Sequence, residues 1–275
     1  MLATLVLGGA GAIAGCGSSR GTDPVARAAY QTANVAGYRL AATVAMTSST
    51  VGQMRMTMNG HFDRHNRTGT VNADETVAGR RLHLTEVLQG LTLYMRTPGL
   101  ASALQLPPGV QWLKLDLSRV LGALGISSLP AGPDPSQFVD YLRAVSSSTT
   151  KLGAATVRSV PTTHYHAVID LKRYPSLAAS SRRAAAQRAV STLESALGGH
   201  TLPVDVWIDR NNLVRRLDLA FSECVANQHL RLQMSMEIFA YGQQASSPPP
   251  ARFYDATPTL SSVLSKAKLG CSSVA

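Results

Sequence analysis

Gln53-Met54-Arg55-Met56-Thr57-Met58-Asn59 alternates without a break between thioether and polar side chains. A period of two marks a strand with one buried face, because successive side chains point to opposite sides of a pleated backbone. The same period holds upstream in Tyr38-Arg39-Leu40-Ala41-Ala42-Thr43-Val44-Ala45-Met46, where the larger apolar residues take the even positions. Downstream, Asp63-Arg64-His65-Asn66 reads as a turn and Thr68 to Thr76 as a more polar strand. Arg81 to Thr85, Leu91 to Arg96 and Trp112 to Leu117 continue the pattern. Six short-spaced strands predict an antiparallel meander with one buried face.

Helices interrupt this order at three places. Asp23-Pro24 supplies an N-cap and a proline at the first helical position, opening a helix to about Ala36. Asp134-Pro135 opens another, with Phe138, Val139, Leu142 and Val145 on one stripe. Ser180 to Leu197 is a third, stopped by Gly198-Gly199. Strands return from about Thr150 to Leu171, then as Val204 to Ile208, Leu213 to Phe221 and Leu230 to Ile238. Ser246 to Pro250 is a proline-rich break, followed by one edge strand and a weak helix. The predicted fold is α+β: a large curved antiparallel sheet, a half-barrel, with a few helices covering its concave face. No interior boundary divides the domain, which is set at residues 26–257, with 258–275 as a tail.

Composition narrows the function classes. The 275 residues hold 26 Lys+Arg against 16 Asp+Glu, a formal charge of +10, yet only 15% of the chain is charged. An average soluble domain carries about 25%. With 45% apolar residues the chain is not of a disordered kind. Aromatics are only 5%, so the scattered positive charge lacks the stacking platforms of nucleic-acid recognition, and no nucleic-acid partner is expected.

The N-terminus reads as an export signal. Leu2 to Gly15 carries no charged side chain and ends Ile13-Ala14-Gly15-Cys16. The stretch is shorter than the roughly 20 residues a spanning helix needs. It fits the apolar region of a secretory signal, here residues 1–15. Cys16 after an aliphatic-small-small triplet resembles a bacterial lipobox, in which the cysteine becomes the new N-terminus and carries diacylglycerol. Residues 16–25 then form the lipidated end and tether. This predicts an exported protein anchored by lipid to the outer face of the cell membrane. Gly9-Ala10-Gly11-Ala12-Ile13-Ala14 also fits a dinucleotide-binding fingerprint. It lacks the acidic residue about 20 positions on that would hold the ribose. With Cys16 lipidated, Cys224 and Cys271 remain as a pair in an oxidising compartment, where a disulfide is expected. It would close a loop of about 47 residues, worth roughly 4 kcal/mol by loop entropy.

Signals for an enzyme are missing from the sequence. There is no G-x-S-x-G, H-E-x-x-H or P-loop, and no Cys/His cluster of zinc spacing. His164 and His166 share one face of a strand, with no acidic partner implied by spacing. Asp209-Arg210-Asn211-Asn212 reads as hairpin-turn chemistry. No catalytic residue, metal or cofactor is assigned, and the chain is expected not to be an enzyme.

Methionine placement is the positive signal. Met46, Met54, Met56, Met58, Met95, Met234 and Met236 all fall on the apolar phase of a predicted strand. Thioether chains are flexible and polarizable, and are overused where a surface accepts ligands of variable shape. With Val44, Leu82, Leu84, Leu93, Leu115, Val206 and Leu219 they make a face that few aromatics fill. A core that happens to use methionine and a ligand cavity both satisfy this pattern. Ten strands with two or three helices favour the cavity, because so few helices can hardly seal so much apolar sheet.

The order of these pieces resembles a known family. Trp112-Leu113-Lys114-Leu115-Asp116, Val160 to Leu171, and Pro203-Val204-Asp205-Val206-Trp207-Ile208-Asp209 followed by Leu213-Val214-Arg215-Arg216 carry the resemblance behind the lipobox. The chain resembles the LppX/LprG group of actinobacterial lipoproteins, related in fold to the periplasmic carriers LolA and LolB. The likeness runs from about Ala26 to Asp255. It implies a half-open barrel enclosing an apolar pocket that binds acyl chains of a lipid or lipoglycan and carries them toward the outer envelope. The pocket candidates are the fourteen Met, Leu and Val residues above. Arg39, Arg55, Arg80 and Arg81 are candidate rim charges. The membrane is a partner through the lipid anchor, and no protein partner is identified. Two other readings compete: a surface-anchored scaffolding lipoprotein with a filled core and no cargo, and a hydrolase with a polar cleft.

Overall fold

A computed structural model describes residues 23–48, 52–77, 80–99, 102, 105–123, 137–145, 149–225, 228–245 and 247–265. The signal segment, Cys16 and Cys271 lie outside the described residues, as do Asp134 and Pro135. Twelve strands form one sheet: β1 (Gly37–Ser48), β2 (Gly52–Asp63), β3 (Thr68–Val77), β4 (Arg80–Gln89), β5 (Thr92–Arg96), β6 (Leu113–Asp116), β7 (Thr150–Val157), β8 (Val160–Asp170), β9 (Thr201–Asp209), β10 (Val214–Val225), β11 (Gln228–Phe239) and β12 (Tyr254–Asp255). Their spatial order is β12-β6-β5-β4-β3-β2-β1-β11-β10-β9-β8-β7. Every pairing is antiparallel except β12 on β6, and the two ends of the row do not pair. The predicted large open antiparallel sheet is therefore present, with β12 as the edge strand expected after the proline-rich segment.

Two meanders meet where β1 pairs with β11, Leu40 opposite Ile238 and Val44 opposite Met234. One inner face results, and the helices lie on it. α1 (Pro24–Ala33) is capped by Asp23, whose carboxylate accepts from the amides of Val25 and Ala26. α2 (Leu117–Ala123) and α6 (Thr257–Leu264) pack on each other beside β6. α3 (Gln137–Tyr141) runs into a 3-10 turn, Leu142–Ala144. α4 is the short Tyr174–Leu177 and α5 spans Ser180–Leu197, ended by Gly198 in the left-handed conformation (φ 67°). Val25, Ala28, Val139, Leu142 and Val190 bury completely against Leu217, Met236, Ile238 and Val206.

Register and side-chain size are matched at the far end of β2. Tyr38 and Phe62 face each other across β1 and β2, their rings stacked 5.5 Å apart. Gly69 lies opposite Phe62 on β3, and a Cβ there would meet the ring at 2.5 Å. Glycine leaves the space that the ring occupies. A bulge at Val214/Arg216 turns both backbone polar groups of Val214 onto side chains. Its amide donates to Thr32 Oγ1 at 2.9 Å, and its carbonyl accepts from the Tyr241 hydroxyl.

The proline-rich segment is more than a break. After β11 the chain crosses the outer face of β2–β4 to reach β6. Ser247 is buried there: it accepts from the Thr70 hydroxyl at 2.5 Å, lies 3.2 Å from His61 Nε2, and its carbonyl accepts from Gln89. Phe253 then packs edge-on against Tyr94 at 5.3 Å. The segment following this strap, assigned to a tail from 258, carries α6 and packs on the domain through α2.

Candidate functional site

Register aligns the predicted residues in rows. Met236, Ala42, Met58, Ala73 and Leu84 stand side by side across β11, β1, β2, β3 and β4. One row up stand Met234, Val44, Met56, Glu75 and Leu82, and above them Leu232, Met46, Met54 and Val77. Leu219 and Val206 extend the face through β10 and β9, while Leu93, Met95 and Leu115 extend it through β5 and β6. All fourteen candidates share the inner face.

They do not share one environment. Val206, Met236, Leu219, Met234 and Leu115 are buried, at most 7% exposed. Val44, Met58 and Leu93 are half-buried along the margin of the core. Met46, Met54, Met56, Leu82, Leu84 and Met95 belong neither to the core nor to that margin. Five of these six are half-buried, and Leu82 is 43% exposed. The helices explain the division, since α1, α3 and α5 share the core with β1 and β8–β11. The six form one patch: Met46, Met54, Met56, Leu82 and Leu84 lie toward the end of the sheet where β1 passes to β2 and β3 to β4, and Met95 lies further in, opposite Glu86.

Two carboxyls stand in this patch, and the sequence reading did not single them out. Glu75 lies opposite Met56 and Leu82, and Glu86 opposite Val71 and Met95. Neither makes a hydrogen bond or ion pair among the described residues. Burial pushes the pKa of the Glu86 carboxyl above the usual carboxylate value. The available signal was parity: Glu86 is in phase with Leu82, Leu84 and Leu88.

The outer face is polar and laced. Trp207 stacks on His164 with ring centroids 4.1 Å apart, and the Arg216 guanidinium lies 4.6 Å from the Trp207 ring. His164 and His166 both approach Asp205, at 3.0 and 3.4 Å, so the pair does have an acidic partner, supplied by β9. Strand pairing, not local spacing, brings it there. Arg216 donates two hydrogen bonds to Asp218, at 2.9 and 2.6 Å, which hold its guanidinium in the charged form. An open depression of about 410 Å³ lies beside them, walled by Arg55, Asp205, Asp218 and Gln233 over Thr43, Ala45 and Ser235. Leu219 and Met234 touch it, although their side chains belong to the inner-face rows. This depression lies across the sheet from the methionine patch.

The rim charges divide as well. Arg55 and Arg81 are exposed on the outer face at the patch end of the sheet, joined there by Arg231. Arg39 stands on that face at the opposite end, beside Phe239 and His61. The side chain of Arg80 lies outside the described residues, as does that of Cys224. Asp209 has the turn role expected of it, its carboxylate accepting from the amides of Asn211 and Leu213 and pairing with Arg215 at 2.7 Å. Among the described residues no three His, Cys, Asp or Glu side chains gather to hold a metal, and no helix is long and apolar enough to cross a membrane.

No family model matches the chain, and no curated protein matches it. Among solved structures it is similar to LprF from Mycobacterium bovis, at 12% identity and TM-score 0.43, over 83% of this chain and 96% of that one. It is similar to a LolA superfamily protein from Nitrosomonas europaea at 6% identity and TM-score 0.28, over 82% and 93%. It is also similar to the lipoprotein LppX from Mycobacterium tuberculosis, at 12% identity and TM-score 0.45, over 82% of this chain and all of that one.

Proposed function

We propose that this chain is an exported, lipid-anchored binding protein. It holds the acyl chain of a lipid or lipoglycan on the patch of Met46, Met54, Met56, Leu82, Leu84 and Met95, and carries it across the cell envelope. The observation that carries this reading is the division of one continuous apolar face into a packed part and a part outside the core. Each methylene moved from water onto that patch gains about 0.8 kcal/mol. Four of the six side chains are thioethers, which mould to chains of different shape without a fixed cavity. The exposed Arg55, Arg81 and Arg231 at the same end suit an anionic headgroup. Lipid on Cys16 keeps the protein at the membrane. The seven residues from there to Asp23, extended, reach at most about 25 Å. The reading assigns binding and carriage, with no reaction.

Full-length chain carrying Cys16→Ser, purified gently and examined by native mass spectrometry, tests it. Masses of protein plus lipid, and uptake of a fluorescent fatty acid, are expected. Apo protein alone, with no uptake, contradicts it and leaves the reading of a surface-anchored protein without lipid cargo.

A further inference from the structure

Glu86 is an unusual residue for its position. It sits on β4 between Leu84 and Leu88 in the inner-face phase, with Val71 on one side and Met95 on the other. Its carboxyl has no hydrogen-bond or ionic partner among the described residues. A half-buried carboxyl without a partner costs folding free energy in either protonation state, more when charged. Leucine in the same phase would pack instead. The carboxyl therefore serves no contact within the described fold.

Its depth along β4 is informative. Leu88, two residues beyond it, is core at 4% exposure, and Leu82, four residues before it, is 43% exposed. At about 3.3 Å per residue, Glu86 stands roughly 13 Å inward from Leu82. An apolar chain lying along β4 from the open end passes over Leu82 and Leu84 and meets Glu86 where the core closes. A simple hydrocarbon would cover the carboxyl and deepen its desolvation. A hydroxyl at that point would satisfy it in either state, since a carboxylate accepts from it and a neutral carboxyl both donates and accepts.

We propose that Glu86 is the polar anchor of the site and that the ligand is a lipid carrying a hydroxyl within its apolar chain. This rests on the acyl-binding reading above. The test is displacement of a fluorescent fatty acid from full-length Cys16→Ser protein by stearate, by 2-hydroxystearate and by 12-hydroxystearate. The 12-hydroxy acid should displace roughly three- to tenfold better than stearate, the equivalent of one added hydrogen bond, and the 2-hydroxy acid should gain nothing. Glu86→Leu should erase the preference while binding stearate at least as well, and Glu86→Gln should keep it. Equal displacement by all three acids, or a preference that survives in Glu86→Leu, overturns the anchor while leaving acyl binding intact. Failure to bind the fluorescent acid at all overturns both.

Discussion

Leu217 and Met54 occupy equivalent phases of the same face, and their surroundings differ. Leu217 faces Val206 and Met236 across its two strand pairings and shares one core with Ile208, Val214 and Ile238, none of the five more than 6% exposed, and with residues of α1, α3 and α5. Beside Met54 stand Met46 and Met56, with none of the three methionines in the core or its margin. The first region uses mostly branched aliphatic side chains, several with few rotamers, that interlock into one packing. The second uses unbranched thioethers that tolerate many partners. One sheet thus carries a part built for stability and a part available to a guest. The account predicts that substitutions separate the two properties.

The largest effect is expected in the packed region. Leu217→Ala should cost about 3 kcal/mol of stability by cavity formation, read from denaturant midpoints, while the folded protein binds lipid normally. The patch should behave in the opposite sense. Met54→Ala with Met56→Ala should change stability by less than about 1 kcal/mol, the side chains being half-exposed, and weaken fatty-acid binding about tenfold in a fluorescence titration. A large loss of stability there would erase the distinction. Thr32→Val tests the junction of α1 with β10. It leaves the buried Val214 amide without its acceptor and should cost about 1–3 kcal/mol in the same denaturation assay, with binding unaffected.

Glu86 links the two regions through pH. Its raised pKa means the folded state holds this proton more tightly than the unfolded chain does, so the contribution to stability is complete below the ordinary value of 4.5 and is lost as pH rises through the folded pKa. Glu86→Gln should remove that dependence. The gap between variant and wild type, measured by denaturation, should widen in the variant's favour from pH 4 to 7. A gap constant across that range would place the carboxyl in a solvated setting and weaken the contrast.

Much of this was legible in the chain because alternation is local. Residues 53–59 announce a strand and its apolar side, and Asp23-Pro24 and Gly198 mark helix ends by chemistry within a few positions. Alternation reports which side is apolar, however, and says nothing of what covers it. The boundary between Met58, beside the core, and Met56, outside it, depends on helices more than 70 residues away as well as on α1. For the same reason the Asp205 partner of His164 and His166, 41 and 39 positions distant, was hidden until β8 and β9 paired. Ser247, 177 positions from Thr70, was hidden likewise. Helix α4 is a single turn with no side-chain cap, and α2, although capped by Asp116 through the amides of Ser118 and Arg119, spans only seven residues, so both are weak signals.

The most direct measurement is photo-crosslinking. Full-length Cys16→Ser protein is loaded with a fatty acid bearing a photoreactive group in its chain, irradiated, and mapped by peptide mass spectrometry. The account predicts labels concentrated on residues 37–48, 52–63 and 80–96, the strands that carry Met46, Met54, Met56, Leu82, Leu84 and Met95. Labels on the outer-face depression beside Asp205 and Asp218, or label scattered evenly over the chain, would contradict it.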